Sequence, residues 1–462
     1  MNYTVKSALV DLKTKKISSL ELVQSCFEQI KKHDQKLSAF LTLNEAEALK
    51  QAKEIDQNPQ GKPLEGVPFV LKDNFLTKGL KTTASSKVLE NYIPTYESTV
   101  SQKLKDAGAI LLGKTNMDAW AHGSSTETSD FGPTKNPWDI KRLPGGSSGG
   151  SAAAQAAAMT VFAIGSETAG SIRQPASWCG VTGLKPSYGR CSRYGVVAMA
   201  SSTDSPGPIT QTAEDAALVL SVIAGKDSHD ATTIPENSWQ IDSLDIDNKL
   251  KIGVIDEYFL DKAEKGVNET VLQAIDSLKK NNKLAFSKVS LLDPKYAIAI
   301  YTILQRSEVS SNLARYDGVR YGHDRSYFGD EAKRRIMLGT FALSVGYYDA
   351  YYKKAQKVRT KIMQDFEKVF EQVDLLVAPT SPSLALPLGA TQGQAMFGEM
   401  QDVLVEASSI AGLPGISIPC GFVDGLPVGL QIIGKMGDEA RVLKLPHYYQ
   451  QITNWHQQTP IL

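Results

Sequence analysis

The chain has 462 residues, 42% hydrophobic and 22% charged, which is ordinary for a globular protein with a large core. Fifty Lys and Arg balance fifty Asp and Glu, so no global field favours nucleic acid or an anionic membrane. No uninterrupted apolar run reaches the roughly 18–20 residues of a membrane span.

Ser18 with Glu21 forms a capping box ahead of a helix expected over 18–32, with Val23, Cys26, Phe27 and Ile30 on one face. A second helix is expected over 45–56. GVPFVLKDNF then reads as an apolar strand that delivers Lys72 at its C-terminal end. Neighbours on a strand point to opposite faces, so Asp73 is expected to face away from Lys72. Residues 108–115, GAILLGKT, match the P-loop expression. A P-loop needs a flexible loop opening a helix, whereas Ala109 to Leu112 read as strand and no helix starts at Lys114. Residues 116–142 are polar and loop-rich, a pocket wall.

The stretch 143–180, LPGGSSGGSAAAQAAAMTVFAIGSETAGSIRQPASWCG, carries two glycine-and-serine clusters around a run of small and apolar residues. Ala152 to Ala158 suit a tightly packed helix and Thr160 to Ile164 a short buried strand. Ser171 stands where that strand runs into a glycine turn, whose N–H groups can converge on an oxyanion. A helix is expected from about Thr212, a strand over Lys251–Ile255, and mostly helix over 330–371. Buried strands are expected over 373–380, 415–420 and 428–434. Pro446 reads as a break or a late helix start. Strands alternating with helices imply one large α/β domain, a mixed central sheet flanked by helices on both faces. Its parts are N-terminal helices to about residue 60, a core over about 61–225, and a remainder over 226–462.

The cysteines Cys26, Cys179, Cys191 and Cys420 are scattered without a C-x-x-C, so reduced, buried thiols and no metal site are expected. The six histidines are isolated, leaving Ser–His–Asp chemistry no obvious base. The start, MNYTVKSALVDLKTKK, lacks the long apolar core of a secretory signal, and Asp11 and Glu21 do not suit a transit peptide. The expected location is the cytoplasm, with the mitochondrial matrix as the alternative.

GGSSGG followed about two dozen residues later by GS-I-R resembles the signature of the amidase signature family, which hydrolyses or transfers carboxamides with a Ser–Ser–Lys triad. The resemblance implies a single amidase-signature domain over 1–462. Ser171 would be the acyl nucleophile, Lys72 the base, and Ser147, after a cis peptide, the bridge between them. The oxyanion hole would use the N–H groups of Thr168, Ala169, Gly170 and Ser171. Glu167 and Ala169 depart from the commoner Asp and Gly, and Ala169 is acceptable only at negative φ. Lys72 must start neutral to act, which calls for burial without a carboxylate partner.

Within the family the chain is most similar to the glutamine-hydrolysing branch that serves tRNA-dependent amidotransferases. The likeness runs through GSSTETSDFGPTKNPWD (123–139), GSIRQPAS (170–177), TGLKPSYGR (182–190), SSNLARYDGVRYG (310–322), KRRIMLGTFALSVGYYDAYYKKAQKVR (333–359) and AGLPGISIPCG (411–421). It implies glutamine as donor, with Arg335 on its carboxylate and Asp402 on its amino group. By pattern alone, Arg334–Arg335 is helix-surface charge, and Asp402 lies opposite an apolar stripe of Met400, Val403, Leu404, Ala407 and Ala411. The resemblance also implies B and C partner subunits, charged tRNA bound mainly by the partner, and ATP and Mg²⁺ used there with no cofactor in this chain. The alternatives are a stand-alone amidase, a non-catalytic scaffold and, last, a P-loop NTPase.

Overall fold

The computed structural model describes residues 3–235, 239–320, 322–394, 396 and 399–462. Its strands are β1 (Phe40–Leu43), β2 (Pro68–Lys72), β3 (Ile110–Thr115), β4 (Phe162–Glu167), β5 (Thr182–Lys185), β6 (Ser205–Thr210), β7 (Leu250–Ile255), β8 (Leu284–Val289), β9 (Leu375–Pro379), β10 (Gly415–Val423) and β11 (Leu426–Gly434), and apolar runs such as those of β2, β9 and β11 supply most of them. They form one sheet in the order β1-β3-β2-β4-β6-β5-β10-β11-β9-β7-β8. The pairs β3–β2, β2–β4, β9–β7 and β7–β8 are parallel and the others antiparallel, so the sheet is mixed as expected.

Strand alternation divides the core in two. Along β9, Leu375 and Val377 join one apolar cluster, while Leu376 and Ala378 join the other. The first is covered by helices that include Ser19–Leu37, Gly149–Ala156, Ala213–Ile223 and Glu439–Ile452. Helices Lys295–Leu313, Asp330–Leu343, Lys354–Val369 and Glu406–Ile410 cover the second.

β3 carries one extra residue against β2. Phe69 pairs with Leu111 and Val70 with Gly113, so Leu112 is skipped, and Lys72 comes to lie opposite Thr115.

Ser18 and Glu21 make the expected capping box, and Thr212 caps its helix by accepting from the Asp215 N–H. The helix expected from Ala152 begins at Gly149, and the strand after it is Phe162–Glu167, later than expected. Gly149 and Gly150 fit inside that helix because the chain is crowded there. A Cβ on Gly149 would lie 2.1 Å from Thr126 Oγ1, and one on Gly150 2.4 Å from the Asn116 carbonyl. Pro446 neither breaks nor starts a helix: Glu439–Ile452 runs through it. An interior proline costs about 3 kcal/mol. Buried Val442, Leu443, Leu445 and Tyr449 hold the helix against that cost. The stripe read around Asp402 is not one helix either. A single turn, Glu399–Asp402, is followed by the separate helix Glu406–Ile410, and Met400 is exposed.

Candidate active site

β2 and β4 are parallel neighbours whose C-terminal ends open on the same side, the usual place for a ligand in such sheets. β2 ends on Lys72, which is wholly buried; its ammonium nitrogen donates to Ser147 Oγ at 2.7 Å and to the Ser166 carbonyl of β4 at 2.9 Å. Burial pushes Lys72 down to about 7, against the charges of Asp118, Asp204 and Glu167, which favour its protonated form. No carboxylate among the described residues bonds it directly.

Asp73 faces away, as strand geometry requires. It accepts from the Thr83 N–H (2.8 Å) and hydroxyl (2.5 Å) and lies 3.2 Å from Lys114. Lys114 also donates to the Phe75 carbonyl (2.8 Å) and to Thr82 Oγ1 (2.9 Å). The lysine of the P-loop-like run is therefore a buried tie between loop and sheet, inside β3, where a phosphate cradle would need an open loop.

Ser147 follows a cis Gly146–Ser147 peptide, and the Gly146 N–H donates to Gln174 Oε1 at 2.9 Å. The Ser148 N–H donates to the Ser171 carbonyl at 3.1 Å, which clamps the turn bearing Ser171 beside the Ser147–Lys72 pair. Lys72 and Ser147 are thus joined by a hydrogen bond and Ser171 is drawn alongside through its backbone. Ser171 is buried, as are Thr168, Ala169 and Gly170.

The turn 168–171 is held from several sides. Thr168 Oγ1 donates to Asp204 Oδ1 (2.6 Å), and Asp204 also accepts from the N–H groups of Met199 (2.9 Å) and Ala200 (3.2 Å). Burial pushes the Asp204 carboxyl up to about 6. Glu167 bends back under the turn and accepts from the N–H groups of Ile172 and Arg173, both at 3.0 Å. It pairs with the buried Arg173 guanidinium at 2.6 Å and accepts from Ser409 Oγ at 3.0 Å. The longer Glu thus finds a complete set of donors. Ala169 is not among the residues at positive φ, so its side chain is tolerated.

Asp402 comes to this site from far along the chain. Asp402 is buried against Gly170, where an added Cβ would lie 2.4 Å from Oδ1, and its other oxygen accepts from Ser124 Oγ. The two arginines read as surface charge part company. Arg334 is exposed, while Arg335 is buried, with Nε donating to Glu331 at 2.6 Å. Arg335 acts electrostatically on His122, two residues before Ser124. Asp118, Asp204 and His122 were not singled out from sequence. They lie in or beside the polar loop and the STDSPGP turn, and no local pattern marks them.

The family model described as Amidase matches residues 21–443. The chain belongs to the amidase family. This amidase is 52% identical to the A subunit of glutamyl-tRNA(Gln) amidotransferase from Geobacillus kaustophilus, over 98% of this chain and 97% of that one. It is 48% identical to the protein of the same name from Carboxydothermus hydrogenoformans, over 99% of each. The crystal structure of the glutamyl-tRNA(Gln) amidotransferase A subunit from Thermotoga maritima superposes with a TM-score of 0.80 at 40% identity, covering 96% of this chain and 93% of that one. Among the described residues, no helix is long and apolar enough to cross a membrane.

Proposed function

We propose that this amidase is the glutaminase subunit of a tRNA-dependent amidotransferase, releasing ammonia from glutamine for a partner that amidates glutamyl-tRNA(Gln), aspartyl-tRNA(Asn) or both. One observation carries the chemistry: a wholly buried lysine, pushed down to about 7, lies 2.7 Å from Ser147, whose neighbour Ser148 is tied to the turn of a second serine. The full-length likeness to the A subunits of glutamyl-tRNA(Gln) amidotransferases supports the choice of substrate.

Neutral Lys72 takes a proton through Ser147 as Ser171 Oγ attacks the carboxamide carbon. The N–H groups of the 168–171 turn receive the oxyanion. Lys72, now protonated, returns the proton through Ser147 to the leaving nitrogen, giving ammonia and a γ-glutamyl ester on Ser171. Water, deprotonated by the same pair, then releases glutamate. Arg335 takes the α-carboxylate and Asp402 the α-ammonium; the position of Asp402 against Gly170 supports its half of this reading. The B and C subunits are the partners. Charged tRNA, ATP and Mg²⁺ belong mainly to the partner, and the balanced charge of this chain agrees with that.

The test is ammonia release from glutamine by the wild type and Ser171→Ala, each assembled with B and C subunits. Activity that needs the partners and is lost in the variant supports the reading. Full activity without partners on unrelated amides identifies a stand-alone amidase instead, and activity surviving Ser171→Ala overturns the nucleophile.

A further inference from the structure

His122 is wholly buried, yet neither ring nitrogen has a hydrogen-bond partner among the described residues. A buried polar group left unpaired costs about 1–3 kcal/mol, so two on one ring call for an explanation. The backbone before the ring is strained. Trp120 (φ 58°) and Ala121 (φ 62°) are two successive non-glycine residues in the left-handed region. Such strain gathers where a side chain must be held for use.

Burial, and after it the Arg335 and Arg306 guanidiniums, hold His122 well below the ordinary imidazole range. Neutral, it presents one N–H donor and one acceptor. Thr302, Gln305 and Arg306 share one face of the helix Lys295–Leu313, by their spacing of three and four. Thr302 Oγ1 and both amide atoms of buried Gln305 are also without hydrogen-bond partners among the described residues. Two residues beyond His122, Ser124 donates to Asp402, whose carboxylate lies against Gly170 of the oxyanion turn.

We propose that His122 is a substrate-contacting residue whose ring N–H donates to the α-carboxylate of glutamine beside Arg335. This rests on the glutaminase reading above. Arg335, tied through Nε to Glu331, is the group read above to take the α-carboxylate, and that reading sets the sign of the ligand group beside His122. The imidazole adds what a second full charge would not, a directional donor. The ammonium end falls to Asp402, which Ser124 ties to the loop that carries His122.

The experiment uses the assembled complex carrying Ser171→Ala, with glutamine and 4-aminobutanamide (glutamine without its carboxylate) as calorimetric ligands. Adding His122→Met, close in volume, is expected to weaken glutamine about 10- to 100-fold, the effect of a hydrogen bond to a charged group, and to change 4-aminobutanamide less than twofold. His122→Gln, which keeps an N–H donor, is expected to stay within about threefold of the parent. With Ser171 intact, the Met variant should raise KM at nearly constant kcat. Equal losses for both ligands, equal losses in Met and Gln, or no loss at all would overturn the proposal and leave the cluster as a water-filled pocket. Failure of the Ser171→Ala parent to bind glutamine would instead strike down the glutaminase reading, and this inference with it.

Discussion

With Lys72 as the proposed base, its depressed pKa sets the pH dependence expected of the amidase. At its ordinary 10.5, a lysine would be neutral in about 0.03% of molecules at pH 7; at about 7, roughly half are neutral. Burial thus raises the competent fraction by about three orders of magnitude, and it does so despite Asp118, Asp204 and Glu167. The expected kcat/KM profile for ammonia release by the assembled complex rises about tenfold per pH unit below pH 6, bends near 7 and is flat by pH 8 to 9. Lys72→Met, which keeps the apolar stem and removes the base, should lower kcat about 10²- to 10⁴-fold with the melting curve retained. A profile flat from pH 6 to 9, a limb that bends near 10, or a Met variant with more than about a tenth of wild-type kcat would refute the assignment of Lys72 as the base.

Two further changes test the supports. Glu167→Gln leaves the buried Arg173 guanidinium without its counter-charge, so urea denaturation should show a loss of about 3–5 kcal/mol, and kcat should fall because the 168–171 turn loses its brace; an unchanged midpoint would refute the brace. Lys185 is a second buried lysine, pushed down to about 7 first by burial and then by Arg173. Between pH 7 and 9 the unfolded chain binds this proton and the folded chain does not, so stability rises with pH. The wild type should gain about 1.4 kcal/mol per pH unit more than Lys185→Met over that window, and parallel curves would contradict the burial argument.

Ser171, Ser147 and Lys72 sit in local patterns, two glycine clusters with serines and a lysine ending an apolar strand, but the roles proposed for them came through resemblance; the structure joins Lys72 to Ser147. Asp73 could be dismissed from the lysine's face by alternation alone. Asp402 and Arg335 came only through resemblance, since helix periodicity assigned both to surfaces. What buries Arg335 and not Arg334 is which side of Asp330–Leu343 meets Lys295–Leu313, where Gly339 presses so close that an added Cβ would lie 1.9 Å from the Arg306 carbonyl. The contact between Asp402 and Ser124 joins residues 278 apart, beyond the reach of any window. The early start of the 149–156 helix and the survival of Pro446 within its helix have the same origin, packing against distant segments that overrides local preference.

The extra residue in β3 acts as a parity switch. In a sheet, paired residues share a face, so the skipped Leu112 decides which side chains accompany Lys72. As built, Thr115 lies beside it and bonds Ser151 of the helix Gly149–Ala156 at 2.7 Å, while Lys114 is sent to the far face to meet Asp73. Were Leu112 paired with Val70 instead of skipped, the phase would invert: Lys114 would be paired with Lys72 on one face, and Asp73 would lose its cation on the other. Two neighbouring ammonium groups would each hold down the other's proton affinity, while a bare carboxylate sat under the loop. Deletion of Leu112 keeps every one of these pairs and should preserve the register, whereas an alanine inserted beside it, which shifts Thr115 by one place, should damage catalysis and folding together although no catalytic group is touched.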